Sequence, residues 1–501
     1  MSRARVLLVN PTMTARRHAR FPLSLLALAE RLSKTHAVTL IDGNVDRDAL
    51  PRIRSALSAG PHAAVGVTVM GGPQVATAID ASQLVRQIAP TTPVVWGGYF
   101  PSLYPDTALN ASYVDYAVRG PGEETMAELL AALDGPRAGV LGAIAGLSYR
   151  ADGCVVHNPD RPVTKPVAST IASHSLLGDP NRYLARTVLG ARTVAHQGAV
   201  GCRFRCTFCG VAAMFRGTTH LPSAALLERD LEQLKRRYGA DSVQFYDHNF
   251  FDREQDMLPL LEVLARAALP WWCYARADAL IDLSPEAWSL VRRSRLKMAY
   301  IGAESPNDRL LREIRKGTRA DQTLEVAELC RRHGVIPELS FMVAPPVDPE
   351  GETERTFEFI REVKRVNPAA EIIVYVYTPL PTGSLPERLR ARVAAPPGGD
   401  GRPLRFPATP EEWTERRWVD YACHADAPWL SDRLRRRIRD FVTVLNCRFP
   451  TVQDVRTPGW AAGVLRAGAA WRYRLRRYDR PWELDLARRV IRLAEPQATS
   501  L

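Results

Sequence analysis

The feature that most constrains the fold of this chain is a repeated alternation of short apolar segments with helical patterns. In the first 150 residues the apolar segments read RVLLVN, AVTLID, AAVGVTVMGG, PVVWGG and YVDYAVRG, with helical patterns between them. Strands that are apolar on both faces of the pleat belong in a parallel sheet covered by helices. Five such units predict an α/β, doubly wound domain over residues 1–150, whose ligand would bind at the carboxyl ends of the strands.

The alternation stops in an irregular connector at residues 151–185 and then resumes with new content. Six further apolar segments are RTVAHQGAV, SVQFYDHNF, WWCYARAD, LKMAYIGAES, IPELSFMVAPP and EIIVYVYTPLPTG. Six units predict an open, partial (β/α)6 barrel over residues 186–395 rather than a closed eight-unit barrel. A linker, AAPPGGDGRP, then leads into a mostly helical C-terminal region at residues 396–501.

Three of the eight cysteines lie within eight residues, directly after the first strand of the second series: Cys202, Cys206 and Cys209. Soft thiolates crowded in one loop favour zinc or an iron-sulfur cluster. Structural zinc takes four protein ligands, so His196 or His220 would have to complete a zinc site here. Three thiolates match a four-iron cluster that leaves one iron open to another molecule. The spacing therefore favours the cluster, at the barrel face where chemistry gathers.

The segment GCRFRCTFCG, on the first strand-loop of a six-unit barrel, resembles the radical S-adenosylmethionine (SAM) enzymes. The resemblance covers about residues 185–395. It implies that the three cysteines hold a 4Fe-4S cluster, that the open iron binds SAM, and that SAM yields a 5′-deoxyadenosyl radical that removes hydrogen from the substrate. The SAM-binding residues that it implies are Phe208, Asp247, Asn249, Glu304 and Ser340, with TPLPTG after the sixth strand.

These polar residues also have structural interpretations. Asp247 could cap a helix, and Glu304 could pair with a nearby Arg. His248, beside Asp247, suits an acid-base role or a structural hydrogen bond equally well.

Glycines and small polar residues cluster directly after the N-terminal strands, in NPTMT, TVMGGPQ, WGGYFPS and RGPGEE. Glycine there lets a large flat or phosphorylated ligand approach the backbone, although tight turns use the same residues. Joined to a radical SAM barrel, the first domain resembles the flavodoxin-like cobalamin-binding domain of the cobalamin-dependent radical SAM enzymes. The cobalamin-binding residues that this implies are Thr12, Thr68, Val69, Met70, Gly71, Gly97, Gly98, Gly120 and Glu123. The D-x-H-x-x-G signature is absent, so we expect no histidine ligand on the lower face of cobalt.

Positive charge is concentrated near the C-terminus. The chain has a net charge of +13, and from Ser431 to Arg480 there are 13 Arg and no Lys against 4 Asp and no Glu. The segment WAAGVLRAGAAWRYRLRRYDRPWEL could lie on an anionic membrane surface, or it could cover the open side of the barrel with Arg facing water, which we favour. Nucleic acid is not an expected partner, because no recognition motif accompanies the charge. No signal peptide or spanning segment is predicted, so we expect a cytoplasmic protein.

The predicted function is methylation of an unactivated carbon in a small biosynthetic intermediate. In this hypothesis one SAM methylates cobalamin, a second SAM supplies the radical, and no side chain beyond the cofactors is catalytic. A reduced flavodoxin or ferredoxin would donate electrons. The alternatives are an oxidative cyclase or rearrangement enzyme with the same cofactors and, from another class, a zinc-stabilised corrinoid-binding regulatory protein.

Overall fold

The computed structural model describes residues 3–46, 49–134, 140–164, 169–380, 387–394, 404–453 and 459–491 of the chain. Most of the predicted linker AAPPGGDGRP and the end of the predicted TPLPTG segment lie outside the described residues. None of the described helices has the length and apolar character to cross a bilayer. Two large sheets, one in each half of the chain, organise the described part.

The N-terminal sheet has seven described strands in the order β2-β1-β3-β4-β5-β6-β7. The strands are β1 Arg5–Asn10, β2 Ala37–Asp42, β3 Ala64–Thr68, β4 Val94–Gly97, β5 Tyr116–Val118, β6 Leu147–Ala151 and β7 Cys154–His157. The first five are parallel, in the order of a flavodoxin-like sheet, which confirms the doubly wound prediction. The last two form an antiparallel hairpin, so the sheet continues to His157, beyond the predicted boundary at residue 150.

Helices cover both faces of this sheet, as its apolar strands require. They are α1 Leu23–Leu32, α2 Ala49–Ser58, α3 Gln74–Ile88, α4 Tyr99–Leu103, α5 Pro105–Leu109 and α6 Glu123–Leu133, with a 3-10 turn at Arg16–His18. The helical patterns that the sequence shows after the third and fifth apolar segments form helices at Gln74–Ile88 and Glu123–Leu133. The strands β1, β3 and β4 are buried almost along their whole length, and the edge strand β2 is buried over its second half, so the sheet lies at the centre of the domain.

The second sheet has six described strands, all parallel, in the order β15-β14-β13-β12-β11-β8. They are β8 Thr193–His196, β11 Ser242–Phe245, β12 Trp271–Ala275, β13 Leu296–Glu304, β14 Ile336–Val343 and β15 Glu371–Val376; the short strands β9 Val200–Gly201 and β10 Thr219–His220 pair beside the cysteine loop. Sequential parallel strands without closure between β8 and β15 confirm the partial (β/α)6 barrel. Before β8 the chain makes 3-10 turns at Leu141–Ala143, Thr170–Leu177 and Pro180–Tyr183.

Helices connect the barrel strands on the outside. They are α7 Gly210–Phe215, α8 Ala224–Tyr238, α9 Glu254–Ala267, α10 Ala277–Ile281, α11 Pro285–Arg293, α12 Asp308–Glu313, α13 Ala320–His333, α14 Pro349–Val366 and α15 Glu387–Ala394. Helix α8 shows how local sequence sets the ends, because the Ser223 hydroxyl accepts a hydrogen bond from the Leu226 N–H and Gly239 ends the helix with φ +58°.

The C-terminal region is helical, as predicted, and packs against both other parts. Its helices are α16 Arg416–Ala422, α17 Asp432–Arg448, α18 Gly459–Arg474 and α19 Trp482–Ile491, with a 3-10 turn at Glu412–Thr414. Phe441 stacks on Phe357 of α14 with ring centroids 3.7 Å apart. Trp413 packs against Phe100 and Tyr104 of the N-terminal domain. The C-terminal region therefore contacts both the barrel and the first domain. The predicted domain boundaries stay predictions.

Candidate functional site

The cysteine loop follows β8 and faces the carboxyl ends of the barrel strands. Cys206 is buried, while Cys202 and Cys209 are partly buried. Cys209 comes directly before α7, and its backbone N–H donates to the Cys206 carbonyl at 3.2 Å. Burial raises the pKa of the Cys209 thiol to about 11, helped by the neighbouring Cys206 and opposed by backbone N–H groups of Ala212 and Val211. The three sulfurs are thus close enough to interact, and iron would displace their protons on binding.

The arrangement fits a cluster better than a single zinc ion. Among the described residues, no group of three or more His, Cys, Asp or Glu side chains is close enough to share one metal ion. In a four-iron cluster each thiolate binds a different iron, so the ligands stand further apart. The two histidines considered for zinc have other contacts, since His220 Nε2 lies 3.1 Å from the Val163 carbonyl and His196 Nε2 lies 3.6 Å from Asp230.

Asp247 fixes the segment that leads into the cysteine loop. Its Oδ1 accepts hydrogen bonds from the backbone N–H groups of Gly198 at 2.7 Å and Ala199 at 2.9 Å. Burial raises the pKa of Asp247 to about 7, and these two hydrogen bonds oppose the shift. Asp247 therefore holds the segment before the cysteines through two backbone N–H groups instead of capping a helix. Its predicted contact with SAM stays a prediction.

Glu304 ends the fourth barrel strand in a strained backbone conformation, with φ +62°. Lys316 Nζ donates to its Oε1 at 2.7 Å, and the Tyr375 hydroxyl donates to its Oε2 at 2.6 Å. Both partners of the ion pair are buried. The partner is a lysine and not the arginine considered from sequence. Gly302 is necessary beside this pair, because a Cβ there would overlap both the Glu304 carboxylate and the Lys316 ammonium.

Sequence reasoning missed two buried cations beside the cysteines. Lys316 lies 5.9 Å from the centre of the Phe208 ring, and the Glu304 carboxylate raises the pKa of its ammonium group against the effect of burial. The Arg276 guanidinium stacks 3.5 Å from the centre of the Phe204 ring and donates to the Lys316 carbonyl at 2.8 Å. Both cations lower the pKa of Cys202 against the larger effect of burial. The signal for Arg276 in the sequence was its position directly after the apolar strand in WWCYARAD, at the edge where site residues gather, and Lys316 had no comparable signal.

Two predicted SAM-binding residues, Asn249 and Ser340, have buried polar atoms without a hydrogen-bond partner among the described residues. Both amide atoms of Asn249 are buried and have no hydrogen-bond partner among the described residues. The Ser340 hydroxyl lies beside the phenols of Tyr300 and Tyr375. Because buried polar groups are normally paired, an unpaired amide at the carboxyl edge of a barrel fits a ligand with both donors and acceptors. The polar amino-acid part of SAM has both.

A cavity of about 520 Å³ lies between the N-terminal sheet and the barrel. Six of the nine predicted cobalamin-binding residues line it: Thr68, Met70, Gly97, Gly98, Gly120 and Glu123. The other three do not. The Thr12 hydroxyl donates to the Gly43 carbonyl at 3.0 Å, Val69 is fully buried, and Gly71 packs against Ala422.

The cavity also extends along the sheet beneath α1 and α6, which the sequence did not reveal. Gly66 and Val95 form its floor, and Leu28 and Met126 lie over it from the helices. A slot of this kind fits an elongated ligand with a flat body at the strand ends and a tail along the sheet, as cobalamin has. Gly98 allows the approach at the strand ends, with φ +95° and the Thr68 hydroxyl 2.9 Å from where a Cβ would stand.

Two histidines of the barrel complete the wall of this cavity. The Nδ1 of His248 is buried without a partner among the described residues, and burial lowers the pKa of its ring to about 4. His196, the second, is buried beside Asp230. Whether a histidine binds the lower face of cobalt stays a prediction.

Tyr99 joins the cavity to the cysteine loop. It begins α4 and lines the cavity, and its hydroxyl lies so close to Gly210 that a Cβ there would overlap the phenol ring. Gly210 directly follows Cys209. Burial raises the pKa of Tyr99, and the neighbouring Cys209 adds to the shift. The two candidate cofactor sites are therefore adjacent.

Comparisons with known proteins agree with this geometry. The B12 binding domain model matches residues 14–130, and the radical SAM superfamily model matches residues 198–360. An uncharacterised methyltransferase of Pyrococcus horikoshii is 26% identical over 68% of this chain and 73% of its own length. The anaerobic magnesium-protoporphyrin IX monomethyl ester cyclase of Synechocystis sp. is 23% identical over 56% of this chain, which spans about half (54%) of that relative.

Among solved structures, the fold is similar to that of TsrM from Kitasatospora setae, a radical S-adenosylmethionine methyltransferase with cobalamin and a 4Fe-4S cluster bound. The TM-score is 0.64 and the identity 20%, over 82% of this chain and 84% of TsrM. The two matched domains together cover more than half of the chain. Their cofactors are cobalamin for the first domain, and a 4Fe-4S cluster with SAM for the second. The chain belongs to the cobalamin-dependent radical SAM family.

Proposed function

We propose that this enzyme transfers a methyl group to an unactivated carbon of a small biosynthetic intermediate. The adjacency of the cysteine loop and the cavity, which meet at Tyr99 and Gly210, carries the proposal. A methyl donor held in the cavity would stand close to a substrate carbon beside the cluster, and such proximity is what group transfer needs. The methyltransferase names of the Pyrococcus relative and of TsrM support it.

The residues of the barrel would bind and orient the cluster and SAM. Each cysteine of the loop would hold one iron, and Asp247 would keep the loop in place through its two backbone hydrogen bonds. Asn249 would exchange hydrogen bonds with the polar end of SAM, because its amide has no other described partner. Arg276 and Lys316 would offset the negative charge of the thiolates and of a bound carboxylate.

The residues of the first domain would hold cobalamin and exclude water. Thr68, Gly97 and Gly98 would contact its flat body through the strand ends, and Gly66 would leave space for its tail. When bound, the cofactors supply a carbon radical that removes hydrogen and a transferable methyl group. We assign no acid or base to a side chain, and His248 is neutral at pH 7 because burial lowers its pKa to about 4.

Radical SAM enzymes act on small molecules and need a reductant. We propose a reduced flavodoxin or ferredoxin as the electron donor, and a cytoplasmic location in which such donors stay reduced.

A second candidate function is oxidative cyclisation or rearrangement with the same cofactors. The similarity to the Synechocystis cyclase supports it. Both candidates use the same cluster and SAM site, so only the products separate them.

The test is anaerobic incubation of the reconstituted enzyme with SAM, cobalamin, reductant and candidate substrates. Methyl transfer predicts 5′-deoxyadenosine and S-adenosylhomocysteine together, and a substrate heavier by one methyl group. Formation of 5′-deoxyadenosine with a substrate of lower or unchanged mass would replace methylation by cyclisation or rearrangement. A colourless protein that binds one zinc ion and yields neither product would overturn both. When Cys202, Cys206 or Cys209 is replaced in this test, Cys154→Ala is the matched control, since Cys154 is exposed on β7 and lies outside the cysteine loop.

A further inference from the structure

The helices α18 and α19 carry most of the large apolar side chains that the described structure exposes. Eleven large hydrophobic residues are exposed among the described residues, and seven of these lie on or directly after the two helices: Trp460, Val464, Trp471, Leu475, Trp482, Leu486 and Val490. The three tryptophans are 74%, 50% and 71% exposed. Because monomeric proteins rarely leave such groups together in water, the segment is an interaction surface.

On each helix the exposed apolar residues share one face. On α18 Trp460, Val464, Trp471 and Leu475 follow the spacing of one helical stripe, since a residue four positions on lies about 40° round the helix. A different face of α18 is buried and includes Leu465 and Ala469. The covering role favoured from the sequence therefore accounts for the buried face but not for the exposed tryptophans.

The two helices form a braced hairpin. Arg472 is buried, and its guanidinium forms two hydrogen bonds with the Glu483 carboxylate of α19. It also donates to the backbone carbonyls of Arg477 and Asp479, both at 3.1 Å. One side chain thus closes the turn between the helices and fixes α19 relative to α18.

Positive charge surrounds these stripes. Residues 459–491 contain eight arginines against three acidic residues, a net charge of +5, and α18 contains no acidic residue at all. Five exposed arginines of the hairpin form no ion pair with another described residue: Arg466, Arg474, Arg477, Arg480 and Arg489. Such a surface is complementary to an anionic one.

We propose that the α18–α19 hairpin binds the surface of an anionic phospholipid bilayer. The exposed Trp, Leu and Val side chains enter the boundary between headgroups and acyl chains, where tryptophan is favoured. The arginines contact lipid phosphates, and their long stems let the guanidinium groups stay at the headgroups. A fluid bilayer can accept separate side chains that stand out along a helix, whereas a folded partner needs a pocket for each.

The test is sedimentation of the full-length holoenzyme with vesicles of phosphatidylcholine alone or mixed equally with phosphatidylglycerol. We expect binding to the mixed vesicles, with a blue shift of tryptophan fluorescence, and weak binding to phosphatidylcholine. The combined Trp460→Ser, Trp471→Ser and Trp482→Ser variant should partition at least about tenfold more weakly. The combined Arg474→Gln, Arg477→Gln and Arg489→Gln variant should lose roughly a hundredfold on mixed vesicles only, at about 1 kcal/mol for each arginine.

The matched control replaces three exposed apolar residues elsewhere, as Leu50→Ser, Val188→Ser and Val452→Ser, and should bind vesicles like the original protein. Unchanged melting temperature and iron content would show that each variant is folded. Absence of binding to mixed vesicles at low salt, or equal binding of the tryptophan variant, would overturn the proposal. A dimer in solution that the tryptophan variant converts to a monomer would instead assign the hairpin to contact between two copies of the chain.

Discussion

The two candidate cofactor sites lie at the carboxyl edges of two parallel sheets, yet they are built in opposite ways. The barrel site is dense and charged, with Glu304, Lys316 and Tyr375 joined in one buried network. The N-terminal site is a slot lined mainly by glycines and apolar side chains, although charged residues such as Arg31 and Glu123 also line it. The barrel site therefore depends on which side chains are present. The slot depends on the space that is left free where glycines carry no side chain. We therefore expect substitutions in the barrel site to act through lost charge and lost ligands, and substitutions in the slot to act through steric overlap and backbone strain.

The largest effect is expected from the cysteine loop. Cys206→Ala removes a buried thiolate that no neighbouring residue can replace, so the cluster should not assemble and formation of 5′-deoxyadenosine should fall by at least ~1000-fold. Iron analysis after anaerobic reconstitution measures this, with Cys154→Ala as the control that keeps its iron. Retention of about four irons by Cys206→Ala would contradict the assignment.

Asp247 makes the stability of the barrel depend on pH. Its pKa is raised from 3.8 to about 7 in the folded chain, so the folded state binds the proton more tightly than the unfolded state does. Its contribution to stability is complete below pH 4 and is lost as the pH rises through 7, by roughly 4 kcal/mol in total. Asp247→Asn keeps an acceptor for Gly198 and Ala199 and removes this loss. The variant should exceed the original protein in melting temperature at pH 8.5, and the difference should shrink at pH 5.

No such difference between pH 5 and pH 8.5 would mean that Asp247 does not titrate in this range.

The buried ion pair of the barrel should matter more than an exposed one. Glu304→Gln leaves the Lys316 ammonium buried without its counter-charge, which should lower the free energy of unfolding by about 3 kcal/mol. The control is Glu328→Gln, which breaks an exposed pair with Arg331 on α13 and should change the free energy of unfolding little, because water screens the pair. Urea unfolding of both variants measures the difference. Equal costs would show that water reaches the Glu304 pair.

The smallest effect is expected in the slot, where only space and backbone conformation change. Gly98→Ala places a Cβ 2.9 Å from the Thr68 hydroxyl at a φ of +95°, so corrinoid affinity should fall about tenfold. Gly142→Ala is the control, because Gly142 does not line the cavity and its Cβ would meet only the Tyr149 hydroxyl at 3.7 Å. Spectroscopic titration with hydroxocobalamin measures both. An equal loss in Gly142→Ala would show that the effect does not come from contact with the ligand.

Features that depend on one short segment of the chain were predictable from the sequence. The apolar strands and the helical stripe of Gln74–Ile88 are local patterns, and so are the cap at Ser223 and the stop at Gly239. The cysteine loop was predictable for the same reason, since its three thiols are neighbours in the chain. The hairpin β6–β7 was not predicted, because it extends the first sheet beyond the regular strand-helix series.

Other features depend on residues that are distant in sequence. Arg276 and Lys316 lie 40 positions apart and meet only because β12 and β13 are adjacent in the barrel. Tyr99 meets Gly210 only because the first domain docks on the barrel. The orientation of Thr12 also depends on tertiary structure, because its hydroxyl donates to the carbonyl of Gly43, 31 positions further along the chain.

The sequence by itself determined the two sheets, the order of the domains and the three-thiolate loop, because apolar periodicity and thiol spacing act over a few residues, and its resemblance to a known family implied the cofactors. Tertiary structure alone decided which polar groups are paired, where the slot between sheet and helices opens, and which face of α18 stays exposed. These depend on packing between segments tens to hundreds of residues apart, and close packing is a property of the assembled chain.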